Sequence, residues 1–197
     1  MRWDSLFDDL EGQLAQELRA EELEQQAEEE RVRIGRLGLR DRLLAIHEGA
    51  RDDAEGTVRI ILTSGERIDL RALSFGRDWF TAALEGDAPR RVQCVVPLAA
   101  IGTLVLTRAQ TELSLAPAGA EPGLASRLTL PFLLRDLCRR RSALDVRTAL
   151  GDVHGTIDRV GRDHFDLATH ESGRPRRQSA VVDYRTIPLQ QVLLLRL

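Results

Sequence analysis

Hydrophobic positions change their period along this chain, and each period predicts an element. Trp3, Leu6, Phe7, Leu10, Leu14 and Leu18 recur at steps of three and four residues, the spacing of one face of a helix. Asp4 or Ser5 suits the start of that helix, with Asp8 as a capping-box partner to Ser5. The stripe fades after Leu23, and six of the ten residues from Glu21 to Glu30 are Glu, as in a solvated helix or connector. A second helical pattern runs from Arg36 to Glu48, with Leu37, Leu43, Leu44 and Ile46 apolar and Gly49 as its stop. A third runs from Pro131 to Arg141, with proline in the first turn and arginines at the negative end.

Elsewhere the period is two. Val58, Ile60 and Leu62 alternate, Ser64 and Gly65 turn the chain, and Ile68, Leu70 and Ala72 alternate again. Leu73 and Phe75 then take the opposite parity, which predicts a bulge in a long second strand. Leu144, Val146, Val153 and Ile157 repeat the arrangement, and Val160 breaks it. Third strands are expected at Trp79–Leu84 and His164–Thr169, and fourth strands at Cys94–Val96 and Ala180–Val182, which sets Cys94 against Ala180. Past each fourth strand a Pro-Leu pair should bend into one helical turn, because proline cannot donate to a ladder. Short last strands follow at Thr103–Leu106 and Val192–Leu195.

These two runs are copies. Gly76-Arg77-Asp78-Trp79-Phe80 reappears as Gly161-Arg162-Asp163-His164-Phe165, and Pro89-Arg90-Arg91 as Pro175-Arg176-Arg177. Val96-Pro97-Leu98 reappears as Ile187-Pro188-Leu189. The organisation expected is an acidic helical arm over 1–35, a helix with a small β unit over 36–106, a linker over 107–126 rich in Ala, Pro and Gly, and a second helix with β unit over 127–197. Units this small sit near the limit of independent stability, so the two should pack together.

Charge modifies this picture. Residues 1–30 carry 11 acids against 2 arginines, while the remainder carries 20 acids against 26 arginines, so a net charge of -3 hides a negative arm and a positive body. The chain contains no lysine, so arginine clusters partly reflect residue usage rather than affinity for a polyanion. Cys94 and Cys138 fall in predicted strand and helix, as reduced thiols of a cytoplasmic protein would. No apolar run reaches the length of a membrane span.

Candidate chemistry is sparse. Arg90, Arg91, Arg174, Arg176 and Arg177 stand at the feet of the third hairpins, where guanidinium forks can take phosphates. Trp3, Phe7 and Leu10 offer an apolar helix face to a partner. His154, His164 and His170 have no metal-ligand spacing and are expected at the surface or in loops; no metal or cofactor is expected. No nucleophile elbow or phosphate loop is present, so no catalytic residues are assigned and an enzyme is not expected.

Over residues 37–106 and 131–197, the order helix, bent second strand, hairpin and Pro-Leu turn resembles the small SH3-like barrels, most closely the Sm-like arrangement. Gly155-Thr156-Ile157-Asp158-Arg159-Val160 through Phe165-Asp166-Leu167 is similar to the first Sm segment. The resemblance implies a mainly β, α+β protein with an N-terminal helical arm and two five-stranded barrels, each preceded by a short helix. Thr81 or Asp166 stands where such proteins carry a base-binding Asn, and their Arg-Gly pair is missing. Barrels similar to PRC barrels bind proteins. The expected function is a non-enzymatic adaptor for a protein partner, or for a second copy, through the helical arm and barrel edges. The alternative is an RNA- or DNA-binding regulator using the arginine pairs.

Overall fold

The computed structural model describes residues 3–85, 92–117, 123–171 and 181–197. The chain divides into two compact units, Met1–Gly38 and Leu39–Leu197. The first is one unbroken helix, α1 (Trp3–Gly35), about 50 Å long at the usual rise. Its backbone is already helical at Trp3, ahead of the expected caps Asp4 and Ser5. The acidic half is helical too. Arg31 pairs with Glu28 and Arg33 with Glu30 one turn apart, and Leu14, Leu18 and Leu23 are exposed.

The second unit opens with α2 (Leu39–Gly49) and a single turn, α3 (Asp53–Gly56). Five strands follow: β1 (Thr57–Leu62), β2 (Arg67–Phe75), β3 (Trp79–Leu84), β4 (Gln93–Pro97) and β5 (Ile101–Val105). After α4 (Arg108–Ser114) and α5 (Leu130–Arg140) come β6 (Ala143–Thr148), β7 (Gly151–Val160), β8 (His164–Thr169), β9 (Tyr184–Pro188) and β10 (Val192–Arg196). All pairs are antiparallel, and the sheet order is β5-β1-β2-β3-β4-β10-β6-β7-β8-β9.

The duplication is visible in this order, since each half places its last strand beside its first and its fourth beside its third. Each Pro-Leu pair enters a 3-10 turn, Leu98–Ala100 or Leu189–Gln191. The register slips between Ala72 and Ser74 in the first half and between Ile157 and Arg159 in the second, where the change of parity predicts a bulge.

Two closed barrels do not form. The strands make one open ten-stranded antiparallel sheet, in which β4 pairs with β10 across the halves. Among the described residues β5 is paired only with β1, and β9 only with β8. The physical reason lies in β10. A register shift between Val192 and Leu194 lets the neighbours Leu193 and Leu194 both enter the core of the first half, while Val192 and Leu195 enter that of the second. In return Trp79 and Val95 of the first half pack into the second core. Closing either half on itself would strip these side chains of their partners.

Pairing also corrects the alignment of the copies. Phe80 faces Val96 and Phe165 faces Ile187, so Cys94 corresponds to Arg185 rather than to Ala180. The fourth strand of the second half is therefore Tyr184–Pro188, and Val181 and Val182 precede it outside any strand. The stretch read as a linker contains α4, fixed by a capping box in which Thr107 and Gln110 satisfy each other's backbone amides. The buried Gln110 side chain also donates to the carbonyls of Glu55 and Thr57, and Arg42 of α2 donates to Ser114 of α4.

Aligned by structure, the outer strands differ from the inner ones at four positions. Cys94 and Val95 of β4 become Arg185 and Thr186 in β9, and Leu193 and Leu194 of β10 become Gly102 and Thr103 in β5. At these positions apolar residues line the junction and polar or small ones line the edges, a usual protection against strand addition, while the last pair runs the other way, with Arg196 at the junction and Val105 exposed on β5.

The shared strand predicts cooperative unfolding. Leu194→Ala, in the first core, should cost about 2–5 kcal/mol and shift the urea transition reported by Trp79 fluorescence in the second core by the same amount, measured in a Trp3→Phe background. Separate transitions for the halves would show that the junction does not couple them.

Candidate functional site

The Gly-Arg-Asp repeat forms the turn between second and third strands in both halves, and its backbone does the same work in each. Gly76 N–H donates to Trp79 O at 2.9 Å and Gly161 N–H to His164 O at 2.8 Å, closing the turns. Asp78 O accepts from Leu98 N–H and Asp163 O from Leu189 N–H, which ties each turn to the Pro-Leu bend of its own half. Glycine is required here by close approach. A Cβ on Gly76 would lie 2.4 Å from the Trp79 indole, and one on Gly161 would lie 2.6 Å from the His164 ring.

The side chains of the two turns have different fates. In the first, Arg77 N–H and Trp79 Nε1–H both donate to Leu128 O, at 2.8 and 3.0 Å, and the Asp78 carboxylate accepts from Leu130 N–H at 2.8 Å. Residue 130 begins α5, whose preceding Thr129 makes no side-chain cap, so Asp78 supplies the cap from another element. In the second turn the Asp163 carboxylate accepts from its neighbour His164 at 2.8 Å, a bond that holds its pKa below the usual carboxylate range. Arg162 and Asp163 are exposed, and among the described residues the Arg162 backbone N–H has no acceptor.

Both turns line one open groove of about 900 Å³. Its apolar wall comes from Pro97 and Leu98 of the first half, Leu130 at the head of α5, and Pro188 and Leu189 of the second half. Arg77 and Arg162 lend two guanidinium groups, and among the described residues neither forms an ion pair. The hydroxyl lining the groove belongs to Thr186 and donates to Asp166 at 2.7 Å. A mostly apolar trough with a few polar groups at its rim suits a bound segment rather than a bond-breaking reaction.

The binding residues singled out from the sequence are not among the described residues that line the groove. Arg90, Arg91, Arg174, Arg176 and Arg177 are outside the described residues. Trp3, Phe7 and Leu10 fall on α1, and their side chains are likewise outside the described set. His170, expected at the surface or in a loop, lies just past β8 outside any strand but is buried: its Nε2 meets Thr156 Oγ1 at 2.9 Å and its ring stands edge-on to His154, centroids 5.0 Å apart. His154 donates to Asp145 across the β6–β7 ladder, in the position where Arg59 pairs with Asp69 across β1–β2. A cross-strand hydrogen-bonded pair is thus kept with its basic and acidic residues exchanged between strands. Among the described residues no group of three metal-ligating side chains converges. Burial pushes the Cys94 thiol up to about 11, and Cys138 Sγ donates to Asp158 O. No helix of the described residues is long and apolar enough to cross a membrane.

The groove was hidden in the sequence for a definite reason. Its duplicated motif was legible, but periodicity does not reveal that β10 inserts beside β4 and brings the two turns to one trough. The chain matches no known protein family, no curated protein and no solved structure.

The unequal fates of the two aspartates are measurable. Asp78→Ala should cost about 1 kcal/mol, the value of a lost helix cap. Asp163→Ala should stay within about 0.5 kcal/mol, as an exposed substitution does. Urea midpoints of the two variants decide the matter, and equal losses would contradict the assigned roles.

Proposed function

We propose that this chain is an interaction protein, not an enzyme, and that it holds an apolar segment of a partner protein in the groove between its duplicated turns. The observation that carries the reading is the trough itself: apolar walls contributed by both halves, with Arg77 and Arg162 at its rim. Loss of apolar surface from water drives such binding, at roughly 25 cal/mol per Å² before ordering costs, and the guanidinium groups fix orientation by hydrogen bonds to carbonyls or carboxylates.

The α1 helix supplies a second element for protein contacts. Leu14 and Leu18 are exposed along it, at the spacing that continues the face beginning with Trp3, Phe7 and Leu10. Its acidic composition disfavours a polyanionic ligand, which is why a protein partner is preferred over RNA or DNA for the positively charged body.

A photo-crosslinking residue at Ala99 or Gln190, both in the groove and exposed, should give covalent protein adducts in cells that survive nuclease treatment. The Pro188→Asp variant, at an exposed wall residue of the groove, should lose them while keeping its stability within about 1 kcal/mol. Adducts that nuclease converts to short RNA or DNA tags would replace the protein partner by a nucleic acid.

A further inference from the structure

The first Gly-Arg-Asp turn already has an occupant, and that occupant belongs to the chain itself. Leu128-Thr129-Leu130 runs extended across it, with Thr129 at φ -87° and ψ 159°, before Leu130 enters α5. Recognition uses the carbonyl of Leu128 and the amide of Leu130, two main-chain groups available in any sequence, while the Leu130 side chain is buried in the second core beside Trp79. Specificity therefore lies in the apolar side chains and affinity in the turn.

The second turn repeats this receptor, and among the described residues no segment of the chain occupies it. Gly161 and the His164 ring occupy the positions of Gly76 and the Trp79 indole, with the imidazole packed over the glycine as the indole is. Arg162 N–H corresponds to Arg77 N–H and Asp163 to Asp78, and both are exposed on the groove. Pro188, the counterpart of the buried Pro97, is exposed as well. β9 carries Arg185 and Thr186 in place of apolar residues, but this turn keeps the carboxylate acceptor and the backbone N–H donor of its counterpart, while the second donor, Trp79 Nε1–H, has no equivalent because His164 Nδ1 is turned to Asp163.

We infer that the Gly161–His164 turn is a docking site for an extended Leu-x-Leu segment of a partner protein, one leading into a helix. The partner's first leucine carbonyl accepts from Arg162 N–H, and its second leucine amide donates to the Asp163 carboxylate. A carboxylate has acceptor capacity for both that amide and His164. The second leucine lies against Pro188 and Leu189, as Leu130 lies within the second core in the internal copy. This assignment rests on the groove being an interaction site, and names the half of it and the class of segment involved.

The chain's own segment provides the probe. A fluorescent synthetic peptide spanning residues 126–137 is titrated into the full chain and followed by anisotropy up to millimolar peptide, since docking in trans lacks the effective concentration of the tethered copy. Saturable binding is expected, weakened roughly tenfold or more in Asp163→Ala, consistent with loss of a hydrogen bond to a charged group. Asp163→Asn, which keeps an acceptor, should recover part of the loss. Peptides with Leu128→Asp or Leu130→Asp should not bind.

Four results overturn the inference. Unchanged affinity in Asp163→Ala does so, as does loss in Asp78→Ala alone, which would mean that the peptide displaces its internal twin. So does self-association of the protein that is abolished by Leu37→Asp or Leu39→Asp, which would make a second copy the occupant. Crosslinked protein partners that persist in Asp163→Ala would leave the groove as an interaction site while removing this assignment.

Discussion

A single strand, β10, holds the body together, and most other features follow from how it is shared. It is flanked by β6 of its own half and β4 of the other, and its apolar residues are divided between two cores. The local register shift is what makes this division possible, since a regular strand would send Leu193 and Leu194 to opposite faces. Trp79 and Val95 cross in the opposite direction. Neither half can be removed without exposing large apolar side chains of the other, so two units too small for robust independent stability become one cooperative body.

The same sharing explains how the copies have diverged. Several positions that meet at the junction are apolar in the copy that uses them and polar or small in the copy that faces outward, as with Cys94 against Arg185 and Leu194 against Thr103. Trp79 has a second core to enter, whereas His164 has none and remains half-exposed, its ring hydrogen-bonded to the Asp163 carboxylate. Divergence is concentrated where the environments of the halves differ. Where they agree, as at the buried Phe80 and Phe165, the residue is unchanged.

The groove is a consequence of the junction rather than of either half alone. Pairing β4 with β10 sets the two Pro-Leu bends and the two Gly-Arg-Asp turns around one trough. One turn is consumed in starting α5, where Asp78 caps a helix whose own preceding residue does not. The other turn retains equivalent groups at the surface, and that inequality between duplicated sites gives the molecule a surface with defined donors, acceptors and apolar walls. The α1 helix adds a separate acidic element whose apolar positions are exposed.

By itself, the sequence determined the elements and their duplication. Third strands begin and end at the expected residues, the bulges fall where the apolar parity slips, and each Pro-Leu pair enters a 3-10 turn, because all of these depend on neighbours within a few residues. Local patterning failed where several readings are equally local. Ala180–Val182 alternates as plausibly as Tyr184–Pro188, and α4 in the presumed linker depends on Gln110 reaching the carbonyls of Glu55 and Thr57. Whether five strands close on themselves or open to a neighbour was decided only in three dimensions. A strand edge satisfies its hydrogen bonds equally well with either partner, and the burial of Leu193, Leu194, Trp79 and Val95 across the halves selects the open sheet and, with it, the groove.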